Sequence, residues 1–471
     1  MKTNHGQTVL VAVVLGWLFV TGLRADEAAP AAAGEPAKSD LMKFFEQDYL
    51  FGDWGGWRTK LSKDHGVDFE FFYIASNPYN LEGGKQTGST YEGALLLMMD
   101  LDSAKLASYD GGHLHVSGTW INGNYPFSDK YVGDLNKVNL IDFPDAWRLW
   151  EFWYEQKFFG NKVSLKFGQL AVDQDFLQPE FYNSLASINL LNQTFFFPTL
   201  AFNVYDIPGY PVGFHALAST PYGAPGARLK VETTENTYVQ VAAYDGYPDQ
   251  NNGTRVELNR QEGVLLYGEI GYRLNQGKDD TGLPGNFKLG AFYHTGDFAD
   301  IRSTLVNLYT GVPEVTYHPN TYGLYFLADQ TLYREVGKDD PAHQGLVGFF
   351  RLTGAPPDRS LTQFGVDGGL VYKGLIPTRD YDSISLAASY LKISDELANA
   401  QKDVNAIYAG FGLPPAFSEL VDYEAVVEVS YKAQLTAWCT MIVDVQRAIH
   451  PGGSAAIPDA WVFILAATLR F

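Results

Sequence analysis

One cysteine, no helix-length apolar run beyond Val20 and a shortage of basic residues define this chain by what they rule out. Cys439 stands alone among 471 residues, so an intrachain disulfide and a thiolate metal cluster are both excluded. Flanked by apolar residues, it reads as a small packed side chain. Lys and Arg number 34 against 54 Asp and Glu, a formal net charge of −20 that would repel a nucleic acid. No paired-histidine zinc motif, serine elbow or phosphate-binding loop is present. Linker-like stretches are missing after Lys38, and so is any internal repeat at domain spacing, which argues against a string of small soluble domains.

Aromatic residues and glycine are plentiful instead. Tyr 29, Phe 31 and Gly 47 suit strands with aromatic ends and glycine-rich turns, while only 19% of residues are charged. The acidic excess has two readings: solvated loops, or a water-filled passage biased against anions.

Residues 1–25 read as an export signal. Lys2 supplies a positive start, Val9 to Val20 is apolar, and small residues follow at Gly22, Ala25, Ala28 and Ala29. Cleavage is expected after Ala25, although Leu23 occupies a position where a small residue is preferred. Residues 26–48 form an Ala/Pro-rich linker and a short helix, with Leu41, Phe44, Phe45 and Tyr49 at near-helical spacing and Asp40 as its cap. An exported chain without a helix anchor is either soluble outside the inner membrane or a barrel.

Residues 49–471 carry short segments of period two, bounded by Gly, Asp, Asn and Pro. Val67, Phe69, Phe71 and Tyr73 alternate with Asp68, Glu70 and Phe72. Leu114, Val116 and Trp120 alternate with His113, His115, Ser117 and Thr119. The pattern returns at Val163, Leu165 and Phe167, at Phe287, Leu289, Ala291 and Tyr293, at Ile384, Leu386, Ala388 and Tyr390, and at Ala425, Val427, Val429 and Tyr431. A soluble sandwich alternates in the same way, but one continuous sheet needs no linkers, and closure removes its edges. The last strand places Trp461, Phe463, Leu465, Leu469 and Phe471 on one face, yet Val462, Ile464 and Ala466 make its other face apolar too. From Asn192 to Gly226, with Phe195, Phe196 and Phe197 in a row, the chain reads as a long irregular loop that covers a mouth or folds inward.

An ordered set of motifs adds a resemblance. Leu50-Phe51-Gly52-Asp53-Trp54-Gly55-Gly56-Trp57-Arg58, Gly83-Gly84, Tyr91-Glu92-Gly93, Asp110-Gly111-Gly112, Arg148 through Gln156, Lys166-Phe167-Gly168-Gln169, Ala224 to Leu229, Gly374-Leu375-Ile376-Pro377 and Pro451-Gly452-Gly453 together resemble the OprB-type carbohydrate-selective porins. Trp57, where an aliphatic residue is more common, and His450, where asparagine is usual, depart from that pattern. The resemblance implies an all-β fold, a transmembrane antiparallel barrel of about 16 strands in the bacterial outer membrane. It implies passive diffusion of small sugars, with no cofactor and no chemistry. Phe471, as a terminal aromatic, resembles the signal that the outer-membrane barrel assembly machinery reads.

Alternation then assigns faces. Trp150, Phe152 and Tyr154 are predicted to face lipid, and Glu151, Trp153 and Glu155 the lumen, where carboxylates accept hydrogen bonds from sugar hydroxyls and an indole stacks on a pyranose. Alternatively, Glu151 and Glu155 pair with inward bases and only hold the wall together. Those bases, by the same parity, are Lys166, Arg228, Lys230 and Lys288, and an interior of both signs favours neutral solutes. His113 and His115 lie two apart on the inward face; without a third ligand they read as a solvated pair, and no metal is expected. A secreted glycosidase or carbohydrate-binding β protein is the alternative class, since paired carboxylates and aromatics serve it equally.

Overall fold

The computed structural model describes residues 39–123, 126–183, 187–196, 219–249, 251–254, 263–277, 280–335 and 343–471. The expected export signal and its cleavage point, most of the linker, and Phe197 lie outside the described residues.

Period-two segments become strands because each can bury one face and leave the other to an apolar medium. Sixteen long antiparallel strands form a single closed sheet. They are β1 (Val67–Glu82), β2 (Glu92–Asp102), β3 (Gly112–Gly123), β4 (Ala146–Phe158), β5 (Val163–Leu170), β6 (Ala224–Glu232), β7 (Thr237–Asp245) and β8 (Val264–Leu274). The circuit continues with β9 (Gly285–His294), β10 (Thr321–Arg334), β11 (Gly345–Gly354), β12 (Thr362–Lys373), β13 (Ser383–Ile393), β14 (Tyr423–Thr436), β15 (Cys439–Ile449) and β16 (Ala460–Arg470). Each strand pairs with its sequence neighbour, and β16 returns to β1 from Phe72 opposite Arg470 to Glu82 opposite Trp461.

The two ends differ. One carries tight turns such as 159–162, 233–236 and 437–438, together with the final Phe471; the other carries the long connections from Gly123 to Ala146, from Leu170 to Ala224 and from Ile393 to Tyr423. Short turns mark the periplasmic end of such barrels and long loops the external one. Helix α1 (Asp40–Glu46) begins where the sequence predicts and stops at Glu46, short of Tyr49. Phe44 and Phe45 lie 5.2 and 6.5 Å from the Trp438 ring in a periplasmic turn. Helix α2 (Trp57–His65) leads into β1, whereas α3 (Ile301–Thr310) and α4 (Asp395–Gly410) belong to external loops. No helix among the described residues is long and apolar enough to cross a membrane.

The outer surface is apolar, with aromatic pairs near both rims. Trp120 and Trp147 stack at 5.0 Å near the external rim, as do Tyr390 and Tyr423 at 5.2 Å; Tyr333 and Tyr372 pair at 6.4 Å near the periplasmic one. Between them stand exposed Leu289, Leu324, Leu370, Leu386, Val427 and Val429. The double-faced apolar character of β16 now has a cause. Trp461 to Phe471 at odd positions face outward, while Val462, Ile464 and Ala466 pack beneath Phe127, Val132, Val138, Leu140 and Ile141 of residues 126–145, which are folded into the lumen.

Strand β4 departs from the predicted parity. Ser117 pairs with Glu151 but Gly118 pairs with Leu149, so Trp150 is the extra residue of a β-bulge. Trp150 and Glu151 therefore both point inward, and Trp150 is 1% exposed among the loop side chains rather than facing lipid. Phe152 and Tyr154 keep their outward positions.

Candidate functional site

Two loops enter the lumen, and inward carboxylates hold them by their backbone amides. Glu424 on β14 accepts from the amides of Leu135 and Asn136, both at 2.7 Å. Four residues further along the strand, on the same face, Glu428 accepts from Leu191 and Asn192 at 2.5 and 3.1 Å. Asp329 on β10 accepts from Glu180 and Phe181, both at 2.6 Å. The same device recurs three times: one carboxylate, two successive amides. A charged acceptor in a dry site makes these stronger than ordinary hydrogen bonds. Glu151 joins them with a single bond from the Ala171 amide at 3.0 Å, and Glu269 takes Tyr238 and Tyr325 hydroxyls at 2.7 Å each. The connection after β5, as described at residues 171–183 and 187–196, thus turns inward from its first residue, earlier than the predicted Asn192. These five acids serve as anchorage rather than as a field in open water.

Within the loops the burial shows in their own acids. Asp134 is pushed well above the ordinary carboxylate range by burial and by the nearby Glu424, and Asp142 is raised by burial. Asp173, whose Oδ1 accepts from the Thr220 amide at 2.8 Å, is pushed up to about 6 by burial. Charge that is dear to bury is kept neutral or bonded.

The sequence-predicted inward residues all lie on the lumen side of β3–β9, but most are enclosed. Glu155 receives Arg228 at 2.8 Å and Ser164 at 2.5 Å, the wall-holding alternative. Lys166 meets both oxygens of Asp175 at 2.9 and 3.0 Å, and Arg228 also lies 3.4 Å from Asp175. Lys288 donates to Glu180 at 2.7 Å and to the Gln178 carbonyl at 2.6 Å. Exposures of 4–9% for Glu151, Glu155, Lys166, Arg228 and Lys288 leave a solute little to touch.

Trp153 is flanked from both neighbouring strands. His115 of β3 stacks on it at 4.9 Å and 16°, and Lys166 of β5 sits 4.2 Å above the ring centre. With partners on either side, the indole offers a solute its edge and not its face. Gly168 makes this approach possible: at φ +140°, a Cβ there would stand 2.2 Å from the Phe152 carbonyl and 2.7 Å from the Trp153 Cα. His113 and His115 are bridged by Asp100, whose Oδ1 lies 2.7 and 2.8 Å from them. No set of three His, Cys, Asp or Glu able to hold a metal occurs among the described residues.

Charge that stays half-exposed lies lower on the same wall. Asp100 and His113 have 32% and 37% of their side chains exposed, Lys230 and Glu232 27% each, Arg273 25% and Glu180 49%. Arg273 grips Glu232 with two bonds at 2.7 and 3.0 Å, and Lys230 lies 3.5 Å from the same carboxylate. Asp100, Glu180, Glu232 and Arg273 escaped the sequence reading. Asp100 was accessible in principle, since it pairs with His115 across the β2–β3 hairpin, whereas Glu180 sits on an inward loop that no periodicity announces.

A closed sixteen-strand barrel, apolar outside and narrowed inside by its own loops, defines a porin-type channel of the outer membrane. Residues 86–471 match the model of the carbohydrate-selective porin, OprB family, and the chain belongs to that family. It is 27% identical to Porin B of Pseudomonas aeruginosa over 98% of both chains, and 25% identical to the putative porin QuiX of Acinetobacter baylyi over 91% of this chain and 94% of that one. The high-pH structure of Pseudomonas putida OprB superposes with a TM-score of 0.76 at 23% identity, covering 90% of this chain and 99% of that chain, which establishes the shared fold.

Proposed function

We propose that sugars descend along the β2–β9 wall and that selectivity is exercised by its half-exposed charge pairs: His113 with Asp100, Lys230 and Arg273 with Glu232, and Lys288 with Glu180. The carrying observation is Glu180. It reaches 49% exposure on an inward loop, while Lys288 beneath it is 4% exposed and fixes it in place. The first two groups offer donors beside acceptors with little net charge, and Glu180 offers an acceptor whose charge Lys288 offsets from behind, the pattern a neutral polyhydroxylated solute can satisfy in passing. The enclosed Glu151, Glu155 and Lys166 shape this wall from behind.

Single-channel recording in planar bilayers tests the reading. Glu180→Gln should change the dwell time of sugar block at unchanged heat-modifiable assembly, whereas unchanged block would remove Glu180 from the path. In the same reading residues 1–25 are a cleaved export signal, checked by amino-terminal sequencing of the outer-membrane form. Phe471 is the assembly signal. Its amide bonds the Phe71 carbonyl at 2.9 Å, so deletion should reduce heat-modifiable protein in the outer membrane.

A further inference from the structure

The segment before β1 is clipped over the periplasmic rim at the seam between β1 and β16. On the lumen side, Tyr49 is covered by two guanidinium groups, Arg58 at 3.4 Å and Arg470 at 4.7 Å from its ring centre. Arg470 in turn pairs with Glu70 at 2.5 Å, the Leu50 amide bonds the Arg470 carbonyl at 2.9 Å, and Arg58 donates to the Phe69 carbonyl. On the outer side, Trp54 packs 5.8 and 6.3 Å from Phe69 and Phe71, and Phe51 packs 5.5 Å from Phe471. These are outward positions, because their even neighbours Phe72, Ile74 and Ser76 are buried inward.

Gly55 and Gly56, at φ +70° and +93°, turn the chain between the two sides. Neither has an atom within 4 Å of its Cβ position, so conformation and not space requires glycine there. Beyond them α2 is fastened by Arg58, 6% exposed, and turns the opposite stripe away from the barrel. That stripe is Trp57, 61% exposed, with Lys60, whose ammonium lies 5.3 Å from the indole, and exposed Lys63. Lys105 stands alongside, its ammonium bonded to the Ser62 carbonyl at 3.0 Å. Glu46, Asp48, Asp64 and Asp68 are the exposed acids nearby in sequence.

We infer that α2 and the Phe51–Trp57 clip form a phospholipid-binding anchor on the periplasmic leaflet, with Phe51, Trp54 and Trp57 in the interfacial layer and Lys60 and Lys63 on headgroup phosphates. Three arguments favour lipid over a soluble partner. The rings of Phe51 and Trp54 continue the outward aromatic band through Phe69, Phe71 and Phe471 without a break, and Trp57 follows them in the chain. Tryptophan beside lysine is the pairing that suits a membrane interface, with an apolar body and a charge that reaches the headgroups. Finally, a local lysine cluster on a chain of net charge −20 is complementary to phosphate, which the rest of the molecule repels.

The full-length porin, reconstituted in vesicles of phosphatidylglycerol and phosphatidylcholine with brominated acyl chains, tests this. The emission difference between the parent and Trp57→Phe isolates the Trp57 contribution, which should be quenched by brominated lipid. Lys60→Glu with Lys63→Glu should cut retention of phosphatidylglycerol through detergent washing, read by native mass spectrometry, by up to about thirtyfold at low salt, and less as ionic strength rises. Both variants should conduct and heat-modify as the parent does. A Trp57 component equally bright in brominated and plain vesicles, or lipid retention unchanged by the double lysine variant, overturns the proposal.

Discussion

Opposite walls of one barrel treat charge in opposite ways. On β14 and β15, Glu424, Glu428, Asp444 and Gln446 are at most 1% exposed and spend their lone pairs and donors on loop backbone or on one another. On β2, β6 and β8, Asp100, Glu232 and Arg273 remain a quarter to a third exposed and pair side chain to side chain. The same residue types thus build scaffold on one side and a wetted surface on the other. What separates them is whether a loop arrives to cover them, not any property of the strand that carries them.

Removing the anchors should break this contrast most severely. Glu424→Ala with Glu428→Ala orphans five loop amides, at Leu135, Asn136, Leu191, Asn192 and Gly452. At about 1–3 kcal/mol for each unsatisfied buried group, the loops should leave the wall, conductance should rise, and trypsin should cut at Lys137. A resistant Lys137 with normal conductance would mean that packing beneath β16 holds the loops unaided. Next in size, Gly168→Ala should cost about 1–3 kcal/mol in backbone strain and lower the heat-modification midpoint, because the new methyl meets the Phe152 carbonyl and displaces β5 from Trp153.

Arg273→Gln should sharpen the comparison without harming assembly. Exposed pairs are worth about 0.2–1 kcal/mol, so ion selectivity, read as reversal potential, should move toward cations by no more than about fivefold. Lys432→Gln on the covered wall, 6% exposed, should leave the reversal potential where it was.

A further contrast concerns pH. Asp173 in the folded chain holds its proton up to about pH 6, above the ordinary carboxylate range. A folded-state value raised above the unfolded one means that stability is highest in acid, falls as pH climbs from about 4 to about 6, and is flat above. Asp173→Asn keeps the acceptor for Thr220 and should flatten that slope in the heat-modification midpoint; an unaltered slope assigns it to other groups.

Much of the wall could be read from the sequence, because lipid imposes a period-two pattern that no tertiary contact overrides. Val427 and Val429 outward with Glu428 inward, Phe167 outward with Lys166 inward, and Trp461 through Phe471 at the seam all stand where alternation put them. The reading failed where one residue was inserted. The bulge after Leu149 leaves local composition unchanged but turns Trp150 from lipid to lumen, and only pairing with β3 reveals it. It also stopped at the second layer. Glu155 as a wall pair with Arg228 was one of two open alternatives, but nothing in residues 171–181 announces that Asp175 would reach Lys166 or that Glu180 would end in the passage. Long-range contacts of an irregular loop carry no periodicity to read.

The amide grip of Glu424, Glu428 and Asp329 has a consequence for how such a channel can be altered. Because each carboxylate holds peptide N–H groups, which every residue but proline supplies, the anchors are indifferent to the side chains of the segments they hold. Loop side chains at Leu135, Glu180 and Phe181 can be exchanged while the path of the backbone is kept, whereas Leu191 and Asn192 are themselves buried and the Asn192 side-chain amide also bonds Gln446 at 3.0 Å. An engineer wishing to retune the channel would leave the three acids alone and rewrite the less buried positions they carry.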